Sequence, residues 1–269
     1  MTKQRDVKED GDDQATRGEG GGIMSKPFRI VCWFSCGAAS AVATKLAIEK
    51  YGAVSIVYCD TGSEHPDNPR FLKDCEKWFG LPVEILRSKK YADTWDVFEK
   101  TRYLAGVKGA RCTTELKKVL RDAYQIIDDV QIFGFDSTET ERAKKFQDNN
   151  PEVTLSMPLI EENISKSKCF EILRGASIAL PAMYLLGYKN NNCIGCVKGQ
   201  SGYWNKIRKD FPEVFERMAK MERKLNVALN KSYAGDRKRK RVFLDELDPN
   251  AGRYESELSL SCGLLCGTE

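Results

Sequence analysis

From residue 28 onward the chain alternates short apolar runs with longer periodic ones. Residues 28–34, 54–59, 83–86 and 130–133 are nearly continuous apolar stretches, as strands buried on both faces require. Between and after them, residues 38–51, 68–79, 113–127 and 137–147 carry helical character. Strand–helix alternation of this kind predicts an α/β domain over 26–160, a Rossmann-like parallel sheet with helices on both faces. After about residue 150 the rhythm changes. Pro151, Pro158 and Pro181 punctuate shorter helical segments, and a longer helix is predicted over 210–229 with Pro212 in its first turn, where proline is tolerated. Residues 161–269 therefore read as a helical C-terminal cap. Residues 1–25 are charged and glycine-rich, without an apolar face, and read as a disordered leader.

Composition narrows the classes. Hydrophobic residues make up 41% and aromatics 10%, enough for a buried core, and the formal net charge of +4 calls for no polyanionic partner by itself. Only the run Arg237-Lys238-Arg239-Lys240-Arg241 is locally basic. It suits either a nucleic-acid backbone contact or a solvated loop. No run of about 18 apolar residues exists, which excludes a helical membrane span, and the leader lacks the apolar core of a secretory signal. A cytoplasmic location is expected. There the 10 cysteines are reduced, and close cysteine spacing signals metal or redox chemistry rather than structural disulfides.

Candidate chemistry gathers where strands end. Ser35-Cys36-Gly37-Ala38-Ala39-Ser40 joins the first strand to the first helix. Small residues there let backbone N–H groups approach an anion, and the helix dipole favours it. The second strand ends in Cys59-Asp60-Thr61-Gly62, with Asp60 suited to a ribose, a base or Mg²⁺. The fourth ends in Gly134-Phe135-Asp136, followed by Glu139 and Arg142. Cys193-Ile194-Gly195-Cys196 is the strongest thiol motif, able to hold one metal or cluster. Cys112 stands about 80 residues earlier, before a helix whose N-terminus favours thiolate. Lys117 and Lys118 follow it with positive charge. His65 is the only histidine, which excludes a multi-histidine metal site.

These pieces, in this order, resemble the phosphoadenosine phosphosulfate (PAPS) and adenylylsulfate (APS) reductase family of the adenine-nucleotide α-hydrolase, PP-loop superfamily. Ser35-x-Gly37-x-x-Ser40 resembles its SGGxxS pyrophosphate loop, Asp60-Thr61-Gly62 its DTG, and Gly134-Phe135-Asp136 with Glu139 and Arg142 its third segment. Arg111-Cys112 followed by the CxxC resembles the Cys-Cys…CxxC set that binds a [4Fe–4S] cluster. Ser261-Cys262-Gly263-Leu264-Leu265 resembles the ECGLH tail that carries a nucleophile. The departures are Cys36 for the first loop glycine, Ala38 and Ala39 where ATP-using members have Lys and Asp, and Arg111 for one cysteine.

The resemblance implies an adenine nucleotide (PAPS, APS or ATP) bound by Ser35, Cys36, Gly37, Ala38, Ser40, Cys59, Asp60, Thr61, Gly134, Phe135 and Asp136. Lys117, Lys118 and Arg142 would neutralise anionic groups. Cys112, Cys193, Cys196 and Cys266 would hold the cluster, with zinc as the competing metal. Cys262 reads equally as a nucleophile, with a thioredoxin-like reductant, and as a cluster ligand. Two other functions stay open: an ATP-dependent sulfurtransferase acting on a nucleic acid, and a non-catalytic nucleotide- or cluster-sensing protein.

Overall fold

The computed structural model describes residues 28–106, 109–233, 239–257 and 260, without the side chains of 232, 233 and 239. The predicted leader, Arg237, Lys238, Cys262 and Cys266 lie outside the described residues. The elements run β1 (Ile30–Trp33), α1 (Ala38–Tyr51), β2 (Ser55–Cys59), α2 (Asn68–Phe79), β3 (Val83–Leu86), α3 (Thr94–Thr101) and a short ribbon of β4 (Ala105–Gly106) and β5 (Gly109–Ala110). A continuous helical segment follows: α4 (Arg111–Thr113), a π-helical turn (Thr114–Lys118) and α5 (Val119–Tyr124). Then come β6 (Val130–Ile132), α6 (Thr140–Asn149), β7 (Thr154–Ser156), α7 (Pro158–Glu161), α8 (Lys166–Gly175) and α9 (Ala182–Leu185). The cap proper adds α10 (Ser201–Asp210), α11 (Pro212–Leu225) and an antiparallel ribbon of β8 (Asn230–Tyr233) and β9 (Arg239–Val242).

Five strands form one parallel sheet in the order β3-β2-β1-β6-β7. The period of two along a strand sends alternate side chains to opposite faces. From β1 onward, Ile30, Cys32 and Phe34 enter one apolar cluster with α1, α2 and α8, while Val31 and Trp33 enter another with Phe146 of α6 and Leu120 of α5. Both faces are thus covered, which is why the strands read as unbroken apolar runs. The alanine-rich α1 keeps helix propensity high and side chains small, so it can be buried on several sides at once.

Some boundaries differ from the pattern reading. The helix predicted over 113–127 starts at Arg111, contains the π-helical turn and ends at Tyr124. The helix predicted over 210–229 ends at Leu225, where Asn226 takes a left-handed conformation with φ of 53°. The β4–β5 and β8–β9 ribbons, β7 and α3 are additional. β7 is a three-residue edge strand, too short for a periodic signal. α3 starts at an Asp93 cap whose side chain accepts the Asp96 N–H, and its Trp95 and Phe98 pack into the cap's core.

The cap centres on Trp204, Tyr203, Ile207 and Met218, all deeply buried. The aromatics of 203–209 therefore pack inside, as expected of a cap helix. Inside this core Glu222 is fully buried and accepts the N–H groups of Leu229 and Leu244, each at 2.6 Å. Burial pushes its carboxyl up to about 7. A second clasp joins cap to sheet. Arg70 on α2 donates to the carbonyls of Ala179 (2.7 Å) and Leu180 (3.1 Å), while Asp67 accepts the Ala182 N–H at 2.9 Å. The Arg70 guanidinium also holds the Asp67 carboxyl below its usual range.

Candidate functional site

In the strand order β3-β2-β1-β6-β7 the chain reverses its direction of sheet growth between β1 and β6. The turns leaving these two strands diverge, and a cleft opens at their carboxyl ends. Its space, counted with the solvent at its open mouth, is ≈ 930 Å³. From β1 and its turn it is lined by Trp33, Phe34, Ser35, Gly37, Ala39 and Ser40. From β6 come Phe133, Gly134 and Phe135, and Cys59 closes it from β2.

The loop after β1 is held by its own serines. The Ser40 hydroxyl accepts the Ser35 N–H (3.0 Å), lies 3.0 Å from the Ser35 hydroxyl and donates to the Gly37 carbonyl (3.0 Å). Cys36 adopts φ of 55° and is fully buried. This is the left-handed region that favours glycine, which accounts for the glycine of the resembled motif at this position. The Ala39 and Ser40 amides are first-turn donors of α1 without intrahelical partners. Gly134 crosses directly over them. A Cβ there would come within 2.6 Å of the Ser40 N and Cα.

Three cations line the cleft. Lys117 sits in the π-helical turn, which re-aims side chains along a helix. Arg142 pairs with Glu139 and lies 5.2 Å from the centre of the Phe135 ring. Lys166, at the first position of α8, is held by the Lys189 carbonyl and the Asn190 side chain. Burial depresses the Lys166 ammonium below its usual value. Aromatic walls, a small-residue turn and cations together suit a ligand with a planar ring and several anionic groups.

Of the residues expected to bind nucleotide, Ser35, Gly37, Ser40, Cys59, Gly134 and Phe135 line this cleft, together with Lys117 and Arg142. Others support it from behind. Thr61 is buried, with its hydroxyl 3.0 Å from the Cys193 sulfur. Asp136 is buried and accepts the Thr138 N–H (2.9 Å) and hydroxyl (2.6 Å). Asp60 turns outward to Arg87 at 2.7 Å and accepts the Gly62 N–H. Cys36 is buried beneath the loop, and neither Ala38 nor Lys118 is among the lining residues. The lining also includes Lys166, Tyr184, Asn190, Asn191 and Asn192, which pattern reading leaves unassigned. The asparagine run reads there only as a loop marker.

The CxxC turn abuts the loop after β2, with the Ile194 N–H donating to the Ser63 carbonyl at 3.0 Å. The Tyr203 hydroxyl accepts the Cys196 N–H at 2.8 Å. Cys196 belongs to the cap's apolar cluster, and half-buried Cys112 packs against the same cluster. Among the described residues, however, no three His, Cys, Asp or Glu side chains are grouped so that they could hold a metal ion. The described thiols therefore do not by themselves assemble a cluster or zinc site. Burial raises the Cys59 thiol to about 11 and the Cys36 thiol well above its usual value, so both are neutral near pH 7.

The last described residue, Leu260, lines the cleft. Its carbonyl accepts from the side-chain amides of Asn190 (2.5 Å) and Asn192 (2.8 Å).

The doubly wound sheet, the small-residue turn at its switch point and the cationic cleft above it define a nucleotide-binding type of α/β protein. A sequence model of the phosphoadenosine phosphosulfate reductase domain matches residues 29–202, and the chain belongs to that family. The chain is also 22% identical, over 205 residues, to the uncharacterized protein MJ0066 of Methanocaldococcus jannaschii. That match covers 72% of this chain and 41% of the relative, so the chain spans less than half of that protein's length. Among the described residues no helix is long and apolar enough to cross a membrane.

Proposed function

We propose that this protein binds an adenine nucleotide across the carboxyl ends of β1 and β6 and reduces the sulfonate of a sulfonucleotide, PAPS or APS, to sulfite. The observation that carries this reading is the position of Leu260. The chain is pinned by Asn190 and Asn192 at the cleft, and Cys262 follows two residues later, within about 7 Å of chain. The thiol that lines the cleft, Cys59, and that of Cys36 beneath the loop are held neutral by burial, so a tail thiol is the better nucleophile.

In this reading the phosphates lie against the loop of 35–40, and Lys117, Arg142 and Lys166 offset the charge that builds on the leaving phosphate. The Cys262 thiolate attacks the sulfonate sulfur. The bond from that sulfur to the phosphate oxygen breaks, and its electron pair leaves with the nucleotide. A second thiol, from a thioredoxin-like dithiol, then attacks the Cys262 sulfur, releasing sulfite and forming a disulfide that the same dithiol resolves. Sulfur is reduced by two electrons and two thiols are oxidised. A [4Fe–4S] cluster or zinc on Cys112, Cys193, Cys196 and Cys266 would need a donor beyond the described thiols; no step here runs through it. Iron, sulfide and zinc assays on anaerobically purified protein decide its presence.

The test is sulfite release from PAPS and APS with a dithiol reductant, run beside conversion of ATP to AMP. Sulfite release that disappears in Cys262→Ser is expected. AMP formed from ATP and stimulated by nucleic acid, without sulfite, would replace this reading by the sulfurtransferase one. That second reading draws on β9, where the exposed Lys240 and Arg241 continue the basic run. Tight nucleotide binding without turnover of either kind would leave a sensing protein.

A further inference from the structure

We propose that Tyr184, supplied by the cap, is a phosphate-binding residue that completes the loop after β1. The inference rests on the nucleotide-binding reading above and names a ligand contact that neither the loop nor the strands contain.

The Tyr184 hydroxyl sits at the mouth of α1. It accepts the Ala38 N–H at 3.3 Å. A Cβ added at Gly37 would lie 3.4 Å from it. A phenolic oxygen that accepts an amide hydrogen keeps its own proton to donate. Tyr184 lines the cleft, so that proton is available to a phosphoryl or sulfonyl oxygen bound there.

The ring is fixed. Its centre lies 4.9 Å from that of Phe170, and the Lys166 ammonium lies 5.6 Å from it on the cleft side. The Asp67–Arg70 clasp anchors the segment leading into α9. Next to Tyr184 lies Asn191, only 7% exposed. Its amide nitrogen is spent on the Cys36 carbonyl (2.6 Å) and on Asn68 (2.9 Å). Its side-chain oxygen is buried and has no hydrogen-bond partner. A buried acceptor without a partner marks Asn191 as a polar group beside the loop that the fold leaves unsatisfied.

The experiment compares binding of adenosine 3′,5′-bisphosphate and of adenosine to the unaltered protein and to Tyr184→Phe, with thermal unfolding as a check on packing. The ring stays; only the oxygen goes. The bisphosphate dissociation constant is expected to rise about tenfold or more, as for a lost hydrogen bond to a charged group, with adenosine binding within about twofold. Equal bisphosphate affinity overturns the assignment. Tighter bisphosphate binding also overturns it, because the hydroxyl would then be a plug that ligand displaces. An equal loss for both ligands overturns it in favour of a structural role. If the unaltered protein binds neither compound, the nucleotide reading itself falls, and the assignment with it.

Discussion

The two walls of the cleft are built by different rules. The sheet-borne wall comes from turns that leave β1, β2 and β6, each fixed within a few residues of a strand end. The cap-borne wall comes from Lys166, Tyr184 and Asn190–Asn192, brought in by long-range docking. A strand end in a parallel sheet must carry its loop to the same edge as its neighbours, so local sequence determines the first wall. The second depends on contacts such as Arg70 with 179–180, more than 100 positions apart. Rigidity is expected on the sheet side, and adjustability where docking rests on a few polar clasps.

The largest effect that can separate the two walls is expected at Gly134. In Gly134→Ala the new Cβ meets the backbone of Ser40 at 2.6 Å, and neither partner is a flexible side-chain end. Two sheet-borne turns must move apart. A stability loss of about 2–3 kcal/mol is expected, with nucleotide affinity falling at least tenfold. Denaturant unfolding and equilibrium dialysis measure both. Unchanged affinity would mean that the loop is as adjustable as the cap.

A smaller effect is expected from Arg70→Ala, which removes two carbonyl contacts and the pairs with Asp67 and Asp74. About 1–2 kcal/mol of stability should be lost. The informative part is where the loss appears. Hydrogen exchange should quicken around α9 and residues 188–192 while β1 and β6 keep their protection. Uniform loosening would show that sheet and cap unfold as one unit.

The difference between the walls also explains what the sequence revealed. The parallel sheet, its covered faces and three ligand-bearing turns follow from apolar runs and small or polar residues at their ends. Ser35, Gly37, Ser40, Cys59, Gly134 and Arg142 were legible on that ground, and they line the cleft. Asp60 shows the limit. A carboxylate after a strand suggests a ligand contact, yet Arg87, on the segment after the neighbouring β3, draws it outward. Lys166 and Tyr184 had no local signature at all, because a lysine at a helix start and a tyrosine in a short helix are ordinary. Lys117 was legible as charge, while the π-helical turn that carries it was not, since a one-residue change of hydrogen-bond register leaves no mark on composition. The CxxC was visible, but its packing against Thr61 and Ser63 depends on the fold of both halves.

The most local effect concerns the cap alone. Glu222 is fully buried in α11 and bridges the Leu229 and Leu244 amides, tying the start of the β8–β9 ribbon to the turn that follows it. Its folded-state carboxyl is raised from 4.5 to about 7. Between those values the folded protein binds more protons than the unfolded chain, so stability falls as pH rises through that window and levels off above it. The shift is already net of the two N–H donors, which oppose burial, and it corresponds to a fall on the order of 3 kcal/mol across the window. Glu222→Gln cannot titrate and should flatten this part of the profile. It also turns an amide NH₂ toward one of the two backbone donors, which costs about 1 kcal/mol at low pH. Hydrogen exchange at Leu229 and Leu244, followed from pH 5 to pH 8, should speed up relative to intrinsic rates in the unaltered protein and not in the variant, with β1 and β6 unaffected in both. A matching pH dependence in the sheet strands would mean that the cap's carboxylate governs the whole molecule, and the separation between the two walls would disappear.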